Sequence, residues 1–200
     1  MILTKLEMSQ SRNTFSYLSN AQKLHGLITG IFGSSQSNAH ILFRTVAKNG
    51  GLEIFVYSDS FPVCVNEGVK ITGMRDLSEW MDHFKEDDIL RFDIITAPSK
   101  KVKVDGSKNS RRILIKNYDD RLLWWERKAK QNGFRIISIN EVGQNSLYAH
   151  HSPEKGGDLH MHPIQYQGVL RIVDVMLFKK ALSHGIGPDK AYGLGMMLIK

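Results

Sequence analysis

Cysteine, long apolar runs and repetitive tracts are scarce or missing in this sequence of 200 residues. The single cysteine, Cys64, excludes an internal disulfide framework and a zinc site built from several cysteines, and it favours a reducing compartment. No stretch approaches the roughly 18 apolar residues of a membrane-spanning helix, and the opening MILTKLEMSQ lacks the apolar core of a signal peptide. We therefore expect a cytoplasmic protein without a membrane partner.

The composition is that of an ordinary globular protein with an excess of positive charge. Hydrophobic residues make up 42% and charged residues 24% of the chain, which argues against disorder. The length allows one large domain or two small domains of roughly 100 residues each. The 27 lysines and arginines outnumber the 20 acidic residues, so the field of the protein attracts polyanions, with nucleic acid first among them.

In the first half of the chain, the spacing of apolar residues predicts a strand, a helix and two further strands. Ser19 or Asn20 can cap the helix and Gly33 can end it. The step Asn49-Gly50 suits a hairpin turn between the later strands. The apolar stripe of the helix, with spacing i, i+3, i+4 and i+7, consists of Leu24, Leu27, Ile28 and Ile31. The four elements cover residues 1–8, 19–33, 40–48 and 52–58.

The order of elements restarts after an ambiguous segment at 61–87, in which ITGMRDLS resembles a strand and SEWMDHFKE a short helix. The second half reads βαββαβ with a long insertion after its first strand, and Asp119 or Asp120 and then Asp174 can cap its helices. The sequence therefore predicts an α+β protein of two tandem ferredoxin-like domains at 1–87 and 88–200. Each domain is expected to have an antiparallel sheet with helices on one face, the plan shared with RNA-recognition motifs.

Residues 100–112, KKVKVDGSKNSRR, concentrate a charge of +5 around a turn-forming Asp105-Gly106 step. A β-hairpin with this charge could follow the phosphates of a folded RNA, and a solvated, mobile loop is the alternative. The six cations are Lys100, Lys101, Lys103, Lys108, Arg111 and Arg112.

His25 lies at the margin of the predicted helix. At 100° per residue it falls roughly 80–90° from the centre of the apolar stripe, so it is neither in the core nor fully exposed. An imidazole in that position can contact a ligand and exchange a proton near neutral pH, because its unperturbed pKa is about 6.5. A structural histidine is the alternative.

Two further groups of residues are ambiguous. The histidines at 150, 151, 160 and 162 could suggest a metal site, but no cysteine lies near them and no carboxylate pattern supports one, so we expect neither metal nor cofactor. In the pair Trp124-Trp125, Trp125 fits the buried stripe of its helix. Trp124 could lie at a domain interface or form a platform for base stacking.

The segment GIGPDKAYGLG at 185–195 follows a predicted helix, so it matches neither a phosphate-binding loop of the Walker type nor a dinucleotide fingerprint. Its glycines can adopt positive φ and let a phosphate chain or another strand approach, with Lys190 as a cation. A plain helix stop and strand entry is the alternative. The glycines are Gly185, Gly187, Gly193 and Gly195.

Three segments together resemble the CRISPR-associated RNA endonucleases of the RAMP superfamily, and specifically the CasE-type subunit of the Cascade complex. They are SRNTFSYLSNAQKLHGLITGIF with its histidine, LRFDIITAPSKKVK before the basic hairpin, and GVLRIVD followed by a helix and GIGPDKAYGLGMMLI. The resemblance implies a metal-independent ribonuclease that cuts CRISPR repeat hairpins and stays on the product RNA within Cascade. It also implies attack by the RNA's own 2′-OH, with His25 as the catalytic residue, either as general base or as general acid for the leaving oxygen.

The sequence departs from the family pattern around that histidine. Gln22 and Gly26 stand where members of the family often have a tyrosine and an arginine. A RAMP subunit that binds guide RNA without cutting it therefore remains an alternative, whereas an unrelated basic protein with the fold of an RNA-recognition motif is improbable. Beyond the cations of segment 100–112, the residues expected to contact RNA are Lys190, Arg12 and Arg44.

Overall fold

The computed structural model describes residues 1–33, 40–48, 51–65, 67–103, 110–144, 146–150 and 157–200. The strands are β1 (Ile2–Ser9), β2 (Leu42–Lys48), β3 (Gly51–Ser58), β4 (Val69–Asp76), β5 (Ile89–Thr96), β6 (Ser99–Lys103), β7 (Ser110–Leu114), β8 (Phe134–Gln144), β9 (Leu147–Ala149), β10 (Leu159–Met161), β11 (Ile164–Ile172) and β12 (Met197–Ile199). The helices are α1 (Arg12–Ser19), α2 (Ala21–Ile31), α3 (Ser78–Asp82), α4 (Tyr118–Gln131) and α5 (Val175–His184), with a 3-10 turn at Lys190–Tyr192.

Two four-stranded antiparallel sheets organise these elements, in the orders β2-β3-β1-β4 and β12-β5-β11-β8. Two hairpins, β6–β7 and β9–β10, stand outside them. This arrangement confirms the predicted α+β class and its tandem ferredoxin-like plan. No helix in the described ranges is long and apolar enough to cross a membrane.

The first sheet buries one face under α2. Alternate residues of β1 are buried, as the period-two pattern predicts. Asn20 caps α2 by accepting a hydrogen bond from the Gln22 N–H, and Gly33 follows the helix with φ of 63°. The predicted stripe of α2 is buried against the sheet through Leu24, Leu27, Ile28 and Ile31. The turn predicted at Asn49-Gly50 lies outside the described residues.

The first half differs from the expected element order in two places. The polar stretch before α2 forms a helix of its own, α1, whose N-cap Ser11 accepts from the Thr14 N–H. Only Thr14 of α1 is buried, so the helix has no apolar stripe by which it could be predicted. Strand β4 and helix α3 follow one another in the order predicted for ITGMRDLS and SEWMDHFKE, but the described residues between β3 and β4 contain no helix, which a complete βαββαβ unit would have there.

The core of the second sheet lies beneath α4 and α5 and includes Trp125, Phe178 and Tyr166. Asp174 caps α5, and Gly185 ends it with φ of 72°, both as predicted. The cap of α4 is Asn117 and not the predicted Asp119 or Asp120. Asn117 accepts from the Asp120 N–H, which leaves both aspartates in the first turn, where the helix dipole favours them.

The boundary at 87/88 stays a prediction. Each sheet draws its strands from one side of it, but the segment around α3 is buried in the core of the second sheet. Phe84 contacts Phe178 edge to face, with ring centroids 5.4 Å apart. The segment after β4 therefore stabilises the second half as well as joining the two.

A buried ion pair connects the two sheets. Nη1 of Arg44 on β2 lies 2.6 Å from Oδ1 of Asp93 on β5, and the two residues are only 6% and 3% exposed. Burial acts to raise the pKa of Asp93, but hydrogen bonds from Arg44, Gln167 and Gln165 outweigh it, so this pKa lies below its usual value. The guanidinium of Arg44, which was expected to contact RNA, is instead buried between the sheets and paired with Asp93.

Candidate nucleic-acid interface

His25 lies on the second turn of α2 and is half-buried, as its place on the helical wheel predicts. Its ring makes an edge contact with the Tyr192 ring at a centroid distance of 6.4 Å. Burial lowers the pKa of His25, and a hydrogen bond with the Ala191 backbone opposes this only in part. The neutral imidazole is therefore favoured at neutral pH, and a neutral imidazole can accept a proton.

The partner of His25 comes from the far end of the chain. The turn Lys190–Tyr192, inside the glycine-rich segment 185–195, packs against α2 and β2. Burial, together with the charge of Asp189, raises the pKa of Tyr192. A phenol thus stands near the imidazole although position 22 holds glutamine. Sequence reasoning missed Tyr192 because no local pattern indicates that this segment meets α2.

The glycines of segment 185–195 all have positive φ, between 72° and 98°. At Gly187 a Cβ atom would lie 2.2 Å from Oγ1 of Thr96, and at Gly193 it would lie 2.9 Å from Cε2 of Phe43. The segment packs so closely on β5 and β2 that neither position has room for a side chain. Both glycines therefore allow a close approach to other parts of the protein, Thr96 and Phe43, and not to a phosphate chain. This close packing fixes the position of the turn that contains Tyr192.

The basic hairpin predicted at 100–112 is present as β6 and β7, with Lys101 paired to Arg112 in antiparallel register. Lys108 and the predicted turn at Asp105-Gly106 lie outside the described residues. The described cations of the hairpin are all exposed: Lys100, Lys101, Lys103, Arg111 and Arg112.

A cavity of about 500 Å³ opens between this hairpin, α4 and the start of the glycine-rich segment. Trp124, only 3% exposed, forms part of its wall, which fits an interface residue better than an open stacking platform. No carboxylate is found among the described residues that line it. Its cations are Lys100, Lys101, Arg112, Arg127 and Lys128.

The like charges around this cavity perturb one another. Burial and the neighbouring charges of Arg127 and Arg112 lower the pKa of Lys128, and burial and Lys128 lower the pKa of Lys190. The carboxylate of Asp189 lies 3.7 Å from Nη1 of Arg112. A bound anion would relieve this mutual repulsion, so the cavity is suited to phosphate.

Arg127 and Lys128 were missed by sequence reasoning. They belong to the run ERKAK on α4. Taken by itself, this run is typical of a solvated helix face. Of the other predicted contacts, Arg12 is exposed at the start of α1 and Lys190 is half-buried beside the cavity.

The histidine-rich region forms the hairpin β9–β10, which carries His160 on β10. His162 and Arg121 both line a different cavity, and His151 falls outside the described residues. The described residues contain no group of three or more side chains arranged to hold a metal ion.

A comparison with known families adds to this geometry. A family model described as CRISPR associated protein matches residues 1–200. The chain belongs to the CRISPR-associated protein family. A curated relative, the CRISPR-associated endoribonuclease Cse3 of Thermus thermophilus, is 25% identical over 119 residues. That match covers 55% of this chain and 54% of the relative, so it spans about half the length of each.

Solved structures of CRISPR proteins share the fold over the whole chain. The CRISPR endoribonuclease Cse3 bound to a 19-nucleotide RNA superposes with a TM-score of 0.84 at 21% identity, covering 100% of both chains. A chain of a CRISPR RNA-guided surveillance complex gives a TM-score of 0.77 at 21% identity, covering 100% of this chain and 99% of the other. At these identities the likeness establishes the architecture of this CRISPR-associated protein.

Proposed function

We propose that this protein is an endoribonuclease that processes CRISPR RNA. It cuts precursor transcripts at repeat hairpins and keeps the product as part of a Cascade complex. The observation that carries the proposal is the packing of the Lys190–Tyr192 turn against α2. That packing sets His25 and Tyr192 side by side and, through Asp189 and Arg112, joins them to the basic hairpin.

The proposed chemistry follows from the neutral imidazole of His25, which its lowered pKa favours. The 2′-OH of the RNA attacks the adjacent phosphorus, the bond from phosphorus to O5′ breaks, and the products carry a 2′,3′-cyclic phosphate and a 5′-OH. A neutral imidazole accepts the proton of the 2′-OH as general base. Cations near the cleavage site offset the charge that develops on the phosphorane. Since the nucleophile belongs to the substrate, the proposed mechanism requires no metal ion.

The basic surface holds the RNA. The exposed cations of β6–β7 and the cavity beside α4 form one continuous group of positive charges, in which Arg112 belongs to both. Phosphates of an RNA stem bind such a surface without reference to sequence. Cascade subunits are the proposed protein partners because a chain of a CRISPR RNA-guided surveillance complex has the same fold.

Incubation of the purified protein with a CRISPR repeat hairpin in excess EDTA tests the proposal. We expect cleavage by the wild-type protein, and no cleavage when the sugar at the scissile position is 2′-deoxy. Intact RNA after incubation with the wild-type protein would refute the enzyme, and cleavage only with added divalent metal would refute the mechanism.

A second candidate function is a subunit that binds guide RNA without cutting it. It is favoured by Gln22 and Gly26, which occupy the places of the tyrosine and arginine often found in this family. The same incubation separates the candidates, because a binding-only subunit retains intact RNA with an affinity that does not change in His25→Ala.

A further inference from the structure

A cluster of ionisable side chains lies on the hairpin β9–β10, apart from the residues discussed so far. Asp158 accepts hydrogen bonds from Oη of Tyr148 at 2.5 Å and from Nδ1 of His150 at 2.6 Å. The His160 ring packs against the Tyr148 ring with centroids 4.8 Å apart. The side chains of His150 and Asp158 are 63% and 42% exposed, so the ring of His150 is held in place and still reaches solvent.

This hairpin is fixed to the helix that carries His25. The backbone N–H of His150 donates to Oδ1 of Asn20 at 3.1 Å, and the same oxygen accepts from the Gln22 N–H at 3.0 Å to cap α2. His25 is five residues after Asn20, which corresponds to roughly 7.5 Å along the helix axis. His150 is therefore anchored within about two turns of the candidate catalytic residue.

A small buried cluster also connects the hairpin β9–β10 to α2. Ala149, next to His150, is buried together with Ala21, and Tyr192 packs against the same cluster. Ala21 precedes His25 by one helical turn and lies on nearly the same face of α2. This buried cluster thus joins the backbone next to His150 to α2, one turn before His25, and to Tyr192.

Cleavage by a 2′-OH needs two proton transfers on opposite sides of the phosphorus. The attacking O2′ and the leaving O5′ stand roughly in line through the phosphorus, so one imidazole does not reach both at the same time. His25, half-buried against Tyr192, serves one side. The other side needs a separate proton donor.

Resting on the proposed function, we infer that His150 is the second catalytic imidazole and protonates O5′ while His25 takes the proton of the 2′-OH. The bond from O2′ to phosphorus forms and the bond to O5′ breaks. One proton passes to His25 and one leaves His150, so the protons balance. Asp158 is a positioning residue, because it holds Nδ1 of His150, leaves Nε2 to donate, and is the counter-ion of the protonated ring.

A pair of RNA substrates tests this role. One is the repeat hairpin with its natural linkage, and the other has sulfur in place of O5′ at the scissile phosphate, so that its leaving thiolate departs without protonation. His150→Ala should slow single-turnover cleavage of the natural RNA by about 10²- to 10⁴-fold and cleave the sulfur-containing RNA at the wild-type rate. His25→Ala should slow both.

His160→Ala is the matched control, because His160 lies on the same hairpin and contacts the Tyr148 ring, and it should leave both rates unchanged. Asp158→Asn should show the substrate-selective pattern of His150→Ala with a smaller loss. Equal slowing of both substrates by His150→Ala, or slowing of neither, would overturn the inference. Absence of cleavage by the wild-type protein would instead overturn the proposed function, so the two failures are distinguishable.

Discussion

Helices α2 and α4 each pack on their own four-stranded sheet, yet they present different chemistry. Helix α2 carries a half-buried imidazole at His25, and its cation Lys23 donates to Oγ of Ser16. Helix α4 places Arg127 and Lys128 at a cavity among three further cations of the β6–β7 hairpin.

The difference shows why the proposed holding and cutting of RNA use separate surfaces. Phosphates bind where exposed cations outnumber carboxylates, whereas a histidine that acts as a base loses basicity when cations surround it. Segment 185–195 connects the two environments, with Asp189 toward Arg112 on one side and Tyr192 toward His25 on the other.

The variant His25→Ala should have the largest effect and tests whether α2 acts in cutting and not in holding RNA. We expect cleavage of the repeat hairpin to fall by about 10²- to 10⁴-fold while its binding stays the same. Because burial lowers the pKa of His25, the rising limb of the wild-type rate against pH should lie below the ordinary histidine value of 6.5. Single-turnover rates between pH 5 and 8 measure this, and weaker binding by the variant would contradict the division of roles.

The contact between the halves should dominate stability. Arg44→Met removes the nearer and buried one of the two ion-pair partners of Asp93, and we expect a loss of about 3 kcal/mol in the free energy of unfolding. Gln165, Gln167 and Lys200 still reach Asp93, which keeps the loss at the lower end for buried pairs. Urea denaturation measures it, and the double variant Arg44→Met/Asp93→Asn should recover part of the loss.

The same pair gives a pH dependence. The pKa of Asp93 in the folded protein lies below its ordinary value of 3.8, so its stabilising contribution is complete above that value and disappears as the pH falls through the folded pKa. In Arg44→Met the acid-dependent loss should shrink. Denaturation series between about pH 2 and 6 measure it, and an unchanged pH dependence would show that Arg44 does not set the pKa of Asp93.

The connecting segment should be sensitive to a single methyl group. Gly193 has φ of 83°, and its Cβ would press on the buried ring of Phe43, so Gly193→Ala should cost about 1–3 kcal/mol and slow cleavage more than binding. Gly30→Ala is the control, because its Cβ meets nothing within 4 Å and alanine in a helix should stabilise by about 0.5–1 kcal/mol. Equal effects of the two variants would contradict this account.

The smallest effect belongs to single cations of the cavity. Lys128→Ala should weaken binding of the repeat hairpin and reduce the slope of log affinity against log salt by about 0.7–0.9, the value for one phosphate contact. Lys130→Ala, an exposed position of the same helix, is the matched control and should leave the slope unchanged. A salt titration of binding decides between them.

Local periodicity predicts much of this architecture. The stripe of α2, the marginal place of His25, the Asp174 cap and the Gly185 stop all follow from the spacing of neighbouring residues, and the structure has each of them. Helix α1 was missed because it buries only Thr14 and has no apolar stripe.

Contacts between distant segments were not predictable in the same way. Arg44 was expected to contact RNA as a source of positive charge in place of the family's missing arginine, and only the pairing of two sheets reveals Asp93 as its partner. Tyr192 beside His25, and Arg127 with Lys128 beside the hairpin, likewise depend on tertiary packing that no single window of sequence contains.

The position of segment 185–195 in the chain also has a consequence for timing during synthesis. His25 leaves the ribosome well before Tyr192, which is added after β6, β7 and α4. At about 5–20 residues per second, the imidazole waits roughly 10–30 seconds for its neighbour. A nascent chain therefore carries the exposed cations of β6–β7 before the pairing of His25 with Tyr192 is complete, so the proposed RNA-holding surface precedes the proposed cleavage site.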